Sequence, residues 1–163
     1  MIREAQEKDF KAIAEIYNYY IRHTIITFEE SEIDQVEVSN RINKVKSSDY
    51  WWLVLEKNQQ ILGYAYATKW QERSAYRNTA EVSVYLHHQS MTKGYGTALY
   101  EELFHRLKAK GLHTVIGGIA LPNASSEKLH EKFGMEKVAH FTEVGYKFGQ
   151  WIDVGYWQAK INA

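Results

Sequence analysis

Gly94 and Gly96 stand one residue apart, with Lys93 before them and Thr97 after them. On their N-terminal side Val82, Val84 and Leu86 alternate with Ser83, Tyr85 and His87, a period of two that predicts a strand. On their C-terminal side Leu99, Leu103 and Leu107 recur at helical spacing. The chain therefore turns on glycines between the end of a strand and the start of a helix. The first turn of a helix offers unpaired N–H groups and the positive end of the helix dipole. Glycine has no Cβ, so a phosphate can come close to the backbone there. The chemistry suited to this junction is anion binding, and a pyrophosphate is its natural guest.

Two common phosphate loops do not fit. A P-loop ends in Gly-Lys-Ser/Thr, whereas Gly96 is followed by Thr97-Ala98. A dinucleotide fingerprint needs a third small residue where Leu99 stands, and an acid closing the next strand, which "HTVIGGIAL" lacks.

The totals narrow the function further. The 163 residues fit one domain, expected to span 1–163, with enough chain for a core. Twenty basic and twenty acidic side chains cancel, so no strong pull toward nucleic acid or a membrane is expected. There is no Cys, hence no disulfide, no thiolate nucleophile and no Cys-based zinc site. The histidines have no ligand spacing, and no metal is expected. The adjacent His87 and His88 would point to opposite faces of a strand. The start, "MIREAQEKDF", lacks an apolar signal core, and no apolar run nears the ~20 residues of a membrane span. The expectation is a soluble cytoplasmic protein.

The elements that must position the glycine loop follow in order. Residues 1–5 read as a strand and 9–23 as a helix with Ile13, Ile16, Tyr17, Tyr20 and Ile21 on one face. Residues 24–30 read as an exposed crossing, and 33–46 as a second helix with Val36, Ile42 and Val45 inward. Strands 50–56 and 61–70 form a hairpin about Asn58-Gln59, and 71–78 is a polar loop. The glycine-started helix runs to about Lys110, with Gly111 as its cap. A strand at 113–121, a helix capped by Asn123 and ended by Gly134, and strands at 136–146 and 153–160 complete the chain. The predicted order is β-α-α-β-β-β-α-β-α-β-β. That is an α/β (α+β) chain with one mixed sheet of about seven strands, flanked by about four helices.

"MTKGYGTALY" resembles the Arg/Gln-x-x-Gly-x-Gly/Ala loop of the GNAT acyltransferases, with Met91 where Arg or Gln is usual. The element order is similar to that family's over the whole chain. "LPNASSEKLHEKFGMEKV" resembles its fourth-helix motif. "TFEE", "YRNTAEVSVY" and "TEVGYKFGQWIDVGYWQ" resemble the phosphinothricin and methionine sulfoximine N-acetyltransferase subgroup. The resemblance implies acetyl-CoA as acyl donor. Thr92, Lys93, Gly94, Tyr95, Gly96 and Thr97 would cradle its pyrophosphate. Val84 and Leu86 would offer backbone groups to the pantetheine amides, with Asn123 and nearby Ser126 holding the pantetheine arm.

N-acetylation needs a base for the amine, donors for the oxyanion and an acid for the leaving thiolate. The resemblance implies Glu81 as base, on the side of its strand shared with Ser83 and Tyr85. His130 is the implied acid, since an imidazole suits that task near neutral pH, and Tyr85 is the alternative. Glu29 is a second carboxylate, as ligand of the acceptor amine or as auxiliary base. Arg73 and Arg77, with Tyr76 between them, offer guanidinium forks to an anionic acceptor. The implied acceptor is a small amino-acid-like amine of the phosphinothricin, methionine sulfoximine or methionine sulfone class, acetylated by direct attack in a ternary complex. Other amines (a polyamine, an aminoglycoside, a protein N-terminus) and a non-catalytic acyl-CoA-binding protein are the competing readings. A homodimer is expected from the aromatic tail "KFGQW" and the family's habit.

Overall fold

A computed structural model describes residues 1–162. Its strands are β1 (Ile2–Glu4), β2 (Trp52–Lys57), β3 (Gln60–Lys69), β4 (Thr79–Leu86), β5 (Thr114–Leu121), β6 (Glu136–Lys147) and β7 (Gln150–Lys160). Its helices are α1 (Phe10–His23), α2 (Gln35–Ser47), α3 (Tyr95–Lys110) and α4 (Ala124–Lys132). The order along the chain is the one the sequence predicts. The strands form one sheet in the order β1-β2-β3-β4-β5-β7-β6, antiparallel except for the β4–β5 pair. Two tight hairpins close on left-handed residues, Asn58-Gln59 between β2 and β3 and Phe148-Gly149 between β6 and β7. Among the described residues no helix is long and apolar enough to cross a membrane.

Register assigns each side chain to a face, because residues directly opposite on paired strands share one. Tyr64 pairs with Tyr85, Tyr66 with Ser83 and Thr68 with Glu81, so these six lie on one face. Trp52 joins them opposite Tyr66. Helix α1 packs on this face through a stripe of Ile13, Ile16, Tyr17, Tyr20 and Ile21, all buried. The other face carries Gly63, Ala65 and Ala67 opposite Leu86, Val84 and Val82. Helix α3 lies there, with Leu99, Leu103 and Leu107 fully buried. Each of those leucines contributes about 2 kcal/mol of burial free energy.

Local differences from the expected elements have simple causes. Helix α2 starts at an Asp34 cap, whose carboxylate accepts from the Glu37 amide at 2.9 Å. Its buried stripe is Val38, Ile42 and Val45, at i, i+4 and i+7, while Val36 is 68% exposed and not inward. Strand β4 begins at Thr79 and β7 at Gln150, each earlier than expected because a neighbouring strand supplies hydrogen bonds that far. His87 and His88 lie past the end of β4. Their rings stack at 4.6 Å instead of diverging across a strand.

The crossing at 24–30 is less exposed than expected. Thr27 is buried, and the Lys147 ammonium, 2% exposed, donates to the carbonyls of Thr24 and Thr27 at 2.8 Å and of Tyr20 at 3.5 Å.

Candidate active site

Strands β4 and β5 pair only as far as Glu81↔Ile116, yet run on to Leu86 and Leu121. Past Glu81 they part, and β4 is left with backbone groups on its β5 side that no strand satisfies. A cavity of about 380 Å³ fills this wedge. Val84, Tyr85 and Leu86 form one wall, and Asn123, Ser126 and Leu129 the other. Thr92, Gly94, Gly96 and Thr97 close it at the start of α3.

The local sequence sets the shape of the wedge. Gly94 adopts φ +81°, a left-handed conformation that lets the chain enter α3 with its amides facing the cavity. A Cβ on Gly96 would sit 3.3 Å from Leu129 and 3.7 Å from Leu86, so the bare glycine lets the two walls approach each other. Asn123 caps α4, its side-chain oxygen accepting from the Ser126 amide at 3.2 Å, which leaves its amide nitrogen to the cavity. The Tyr20 hydroxyl donates to the Leu86 carbonyl and fixes the free end of β4.

Of the residues expected at the cofactor, Val84, Leu86, Thr92, Gly94, Gly96, Thr97, Asn123 and Ser126 line this one cavity. Lys93 and Tyr95 do not. Lys93 is exposed, and the Tyr95 hydroxyl accepts from Lys57 at 3.4 Å. Sequence reasoning missed Tyr20, Ile26, Leu129, Lys128 and Lys132, which also line it. Tyr20 had a signal, being on the buried stripe of α1. The two lysines on α4 carried none that distinguishes them from ordinary surface cations.

Glu81 is the last residue of β4 paired with β5, at the apex of the wedge, and is not among the residues that line the cavity. Among the described residues its carboxylate has no hydrogen-bond or ion-pair partner, and burial pushes its pKa above the ordinary carboxylate value. A half-buried, unpartnered carboxylate is a proton acceptor in waiting. Glu29 is the opposite case. Arg41 holds both its oxygens, at 2.6 and 2.8 Å, and the Tyr17 hydroxyl donates to it as well. The Arg41 fork holds the Glu29 pKa below the ordinary value. Glu29 is thus a weak base, an arrangement that suits a ligand of the acceptor amine better than an auxiliary base.

Tyr85 lines the cavity within an aromatic cluster. Its ring meets Tyr17 and Tyr20 edge-on, with centroids 5.1 and 5.5 Å away, and Tyr64 at 5.6 Å. Burial pushes its hydroxyl well above the ordinary tyrosine value, so it keeps its proton at any physiological pH.

His130 stands on the other face of the sheet. It is 4% exposed and is not among the lining residues. Its Nδ1 lies 2.7 Å from the Ser126 carbonyl, which can only accept, so Nδ1 carries the proton. Its Nε2 therefore accepts from the Tyr100 hydroxyl at 3.1 Å. Burial lowers its pKa below the ordinary histidine value, which keeps the ring neutral near pH 7. A neutral imidazole with both nitrogens engaged is a poor proton reservoir, which favours Tyr85 over His130 as the acid. It still touches the apex from behind, since a Cβ on Gly117, next to Ile116, would lie 2.8 Å from Nε2. Tyr100 was not foreseen, although Gly96, Tyr100, Leu103 and Leu107 share the inward stripe of α3.

Arg73, Tyr76 and Arg77 lie in the exposed loop leading into β4, about a short 3-10 turn at Ser74–Tyr76. Arg77 donates to the Ser74 carbonyl at 3.0 Å, and neither guanidinium is ion-paired among the described residues. Among those residues no group of three or more His, Asp or Glu is arranged to hold a metal ion.

Comparison with known proteins agrees with this geometry. Residues 2–155 match the Acetyltransferase (GNAT) domain family. The chain is 36% identical over 157 residues to a phosphinothricin N-acetyltransferase of Streptomyces viridochromogenes, covering 96% of this chain and 85% of that one. It is 34% identical to an L-methionine sulfoximine/L-methionine sulfone acetyltransferase of Salmonella typhimurium, covering 99% and 94%. A crystal structure of a phosphinothricin acetyltransferase from Sinorhizobium meliloti in complex with acetyl-CoA superposes with a TM-score of 0.94 at 32% identity, covering 98% and 87% of the two chains. On the sheet order, the wedge between β4 and β5 and these matches, the chain belongs to the GNAT acetyltransferase family.

Proposed function

We propose that this protein transfers the acetyl group of acetyl-CoA to the primary amine of a small amino-acid-like acceptor of the phosphinothricin, methionine sulfoximine or methionine sulfone class. The observation that carries this reading is the unpartnered Glu81 carboxylate at the apex of a wedge that ends on the amides of α3. The named relatives support the acceptor class.

The residues present fit the co-substrate. A pyrophosphate suits the Gly94–Thr97 turn at the α3 N-terminus, and the unpaired β4 edge suits the amides of a pantetheine arm. Acetyl-CoA supplies the activated acyl carbon. Glu81 takes the proton from the acceptor amine, directly or through water. N–H groups of β4 past Glu81 that point toward β5 stabilise the developing oxyanion. Tyr85 holds the proton that the leaving thiolate needs. Arg73 and Arg77, unpaired and beside the start of β4, bind the α-carboxylate of the acceptor. The Asn123 amide nitrogen and Ser126 hold the pantetheine arm.

The enzyme works as a cytoplasmic homodimer in this reading. The support is β6, an edge strand whose surface, with the hairpin to β7, exposes Val138, Phe141, Val144, Tyr146, Phe148 and Trp151. Light scattering on the purified protein distinguishes a dimer of about twice 19.1 kDa from a monomer.

The test of the activity is thiol release from acetyl-CoA against a panel of amines. Saturable turnover is expected with phosphinothricin, methionine sulfoximine and methionine sulfone, and not with spermidine or an aminoglycoside. Turnover confined to the cationic amines would overturn the acceptor class. Acetyl-CoA binding without turnover on any amine would overturn the catalytic reading.

A further inference from the structure

A second cavity, of about 240 Å³, opens on the Glu81 face of the sheet, beneath α2. Its floor is the indole of Trp52 stacked on the ring of Tyr66, with centroids 4.1 Å apart and planes 5° from parallel. Thr68 forms one side, and three cations, Arg41, Lys44 and Lys69, line it together with one carboxylate, Glu72. The register ties this cavity to the catalytic base. Thr68 is directly opposite Glu81, so this side of the cavity is one strand spacing, about 5 Å, from the base, and Tyr66 of the floor is its diagonal neighbour at about 7–8 Å.

Two features of the cavity ask for an anion with acceptor oxygens. Trp52 is buried, and its Nε1–H is the single buried side-chain polar atom without a partner among the described residues. Buried donors are almost always paired, so this one lacks its partner in a side chain that lines the cavity. The second feature is charge. Arg41 is already committed to Glu29 and Glu37. Lys69 has only a loose contact with Glu72, at 3.8 Å. Lys44 has no carboxylate within ion-pair distance among the described residues, although it lines the opening.

We infer that this cavity is a subsite for an anionic head at the far end of the acceptor, held against Lys44 above the Trp52–Tyr66 floor while the amine meets Glu81. The inference rests on the acceptor class proposed above and adds a residue that sorts acceptors within it. Arg73 and Arg77 at the start of β4 are left for the carboxylate next to the amine. A phosphinate head carries the charge this subsite favours, and a sulfone head does not. The subsite therefore ranks acceptors by the charge of the head.

The experiment compares kcat/KM for phosphinothricin, whose head is anionic, with that for methionine sulfone, whose head is neutral. It uses the parent protein, Lys44→Gln and Lys44→Glu. The expected result is that the phosphinothricin-to-sulfone ratio falls about tenfold in Lys44→Gln and further in Lys44→Glu. The acetyl-CoA KM should stay at the parental value. A ratio that does not move in either variant, or a loss shared equally by both acceptors, overturns the subsite. If the parent acetylates neither acceptor, the acceptor reading has failed, and titration calorimetry with phosphinothricin alone decides the subsite separately. Heat in the parent that Lys44→Glu abolishes keeps it, and no heat in the parent removes it.

Discussion

The ring of Phe28 rests on the bare backbone of Gly145. A Cβ added there would stand 2.4 Å from Phe28 Cζ. Two residues further along β6, the Lys147 ammonium gathers the carbonyls of Tyr20, Thr24 and Thr27. Strand β6 thus clamps the 24–30 crossing at two points. That crossing supplies Ile26 to the cofactor wedge and Glu29 to the Arg41 fork, and Thr27 shares a 2.6 Å hydrogen bond with Tyr17. A segment that short, with no secondary structure of its own, would otherwise wander over the surface.

Removing the lower clamp has a specific signature. Gly145→Ala should expel Phe28, because a side-chain ring yields more easily than β6 backbone. The crossing then loosens, and cleavage by a protease within 24–30 should speed up. Phe28→Ala in the same chain should restore part of the loss in folding stability, giving a coupling of about 1 kcal/mol in a double-mutant cycle. Strictly additive effects would show that the contact carries no energy.

Removing the upper clamp should cost more. Lys147→Met fills similar space but leaves three carbonyls without their donor. The loss is about 3 kcal/mol, or roughly 6–12 °C in Tm for a chain of this size. A melting temperature within 2 °C of the parent would mean that water replaces the ammonium without cost.

Glu81 links activity to stability with opposite signs. Burial raises its folded pKa, so the native state binds its proton more tightly than the unfolded chain does. Stability therefore falls as pH rises from the ordinary carboxylate value through the raised one, and the penalty is complete above the raised value. The proposed role as base requires the deprotonated form, so activity should rise over that same interval. Glu81→Gln should lower kcat about 10²- to 10⁴-fold while raising the melting temperature at pH 7.5 and not at pH 4. A variant less stable than the parent at pH 7.5 would show that the carboxylate has a partner in solution.

The parts of this arrangement that repeat along the chain were legible in the sequence, and those made by distant contacts were not. Alternation in β4 and the leucine spacing of α3 reveal the strand–turn–helix, because burial on one side leaves a period behind. Val36 misled, because α2 is mostly polar and any of its few apolar residues can pass for the buried one. Lys147 reads as a surface lysine beside a hairpin, and its partners lie 120 residues and more away. The engagement of Glu29 depends on Arg41, 12 positions along the chain. The state of His130 depends on Tyr100, 30 positions away on another helix. Motif likeness conveys which residues gather at a site but not which of their atoms are already in use.

The proton donor can be assigned by a pair of variants. Tyr85 lines the wedge and stays protonated, whereas His130 is neutral and bonded at both nitrogens. Tyr85→Phe keeps the ring contacts with Tyr17 and Tyr20 and should lower kcat about 100-fold with little change in the acetyl-CoA KM. His130→Gln should cost mainly stability, because it removes a buried partner of Tyr100. The alkaline limbs of the pH–rate profiles separate the two groups. An acid with a lowered histidine pKa would make activity fall as pH rises through a range below the ordinary histidine value, and the parent should show no such fall. A parental limb there that His130→Gln abolishes would return the role to the histidine.

Met91 is where the glycine loop departs from the family pattern, and its contacts say what the departure does. The side chain is partly exposed, lines the wedge and brings its sulfur to 4.0 Å from the Tyr20 hydroxyl, the group that holds the Leu86 carbonyl. Methionine thus leaves the pyrophosphate to the backbone of the α3 N-terminus, with no guanidinium to pair with it. Met91→Arg should add a charge-assisted contact worth about 1.5–3 kcal/mol. Affinity for CoA should then tighten by roughly tenfold or more at low salt, with the gain shrinking as salt rises. Fluorescence titration of CoA into both proteins measures it. An unchanged dissociation constant would mean that the loop amides already satisfy the diphosphate and that Met91 is placed for Tyr20.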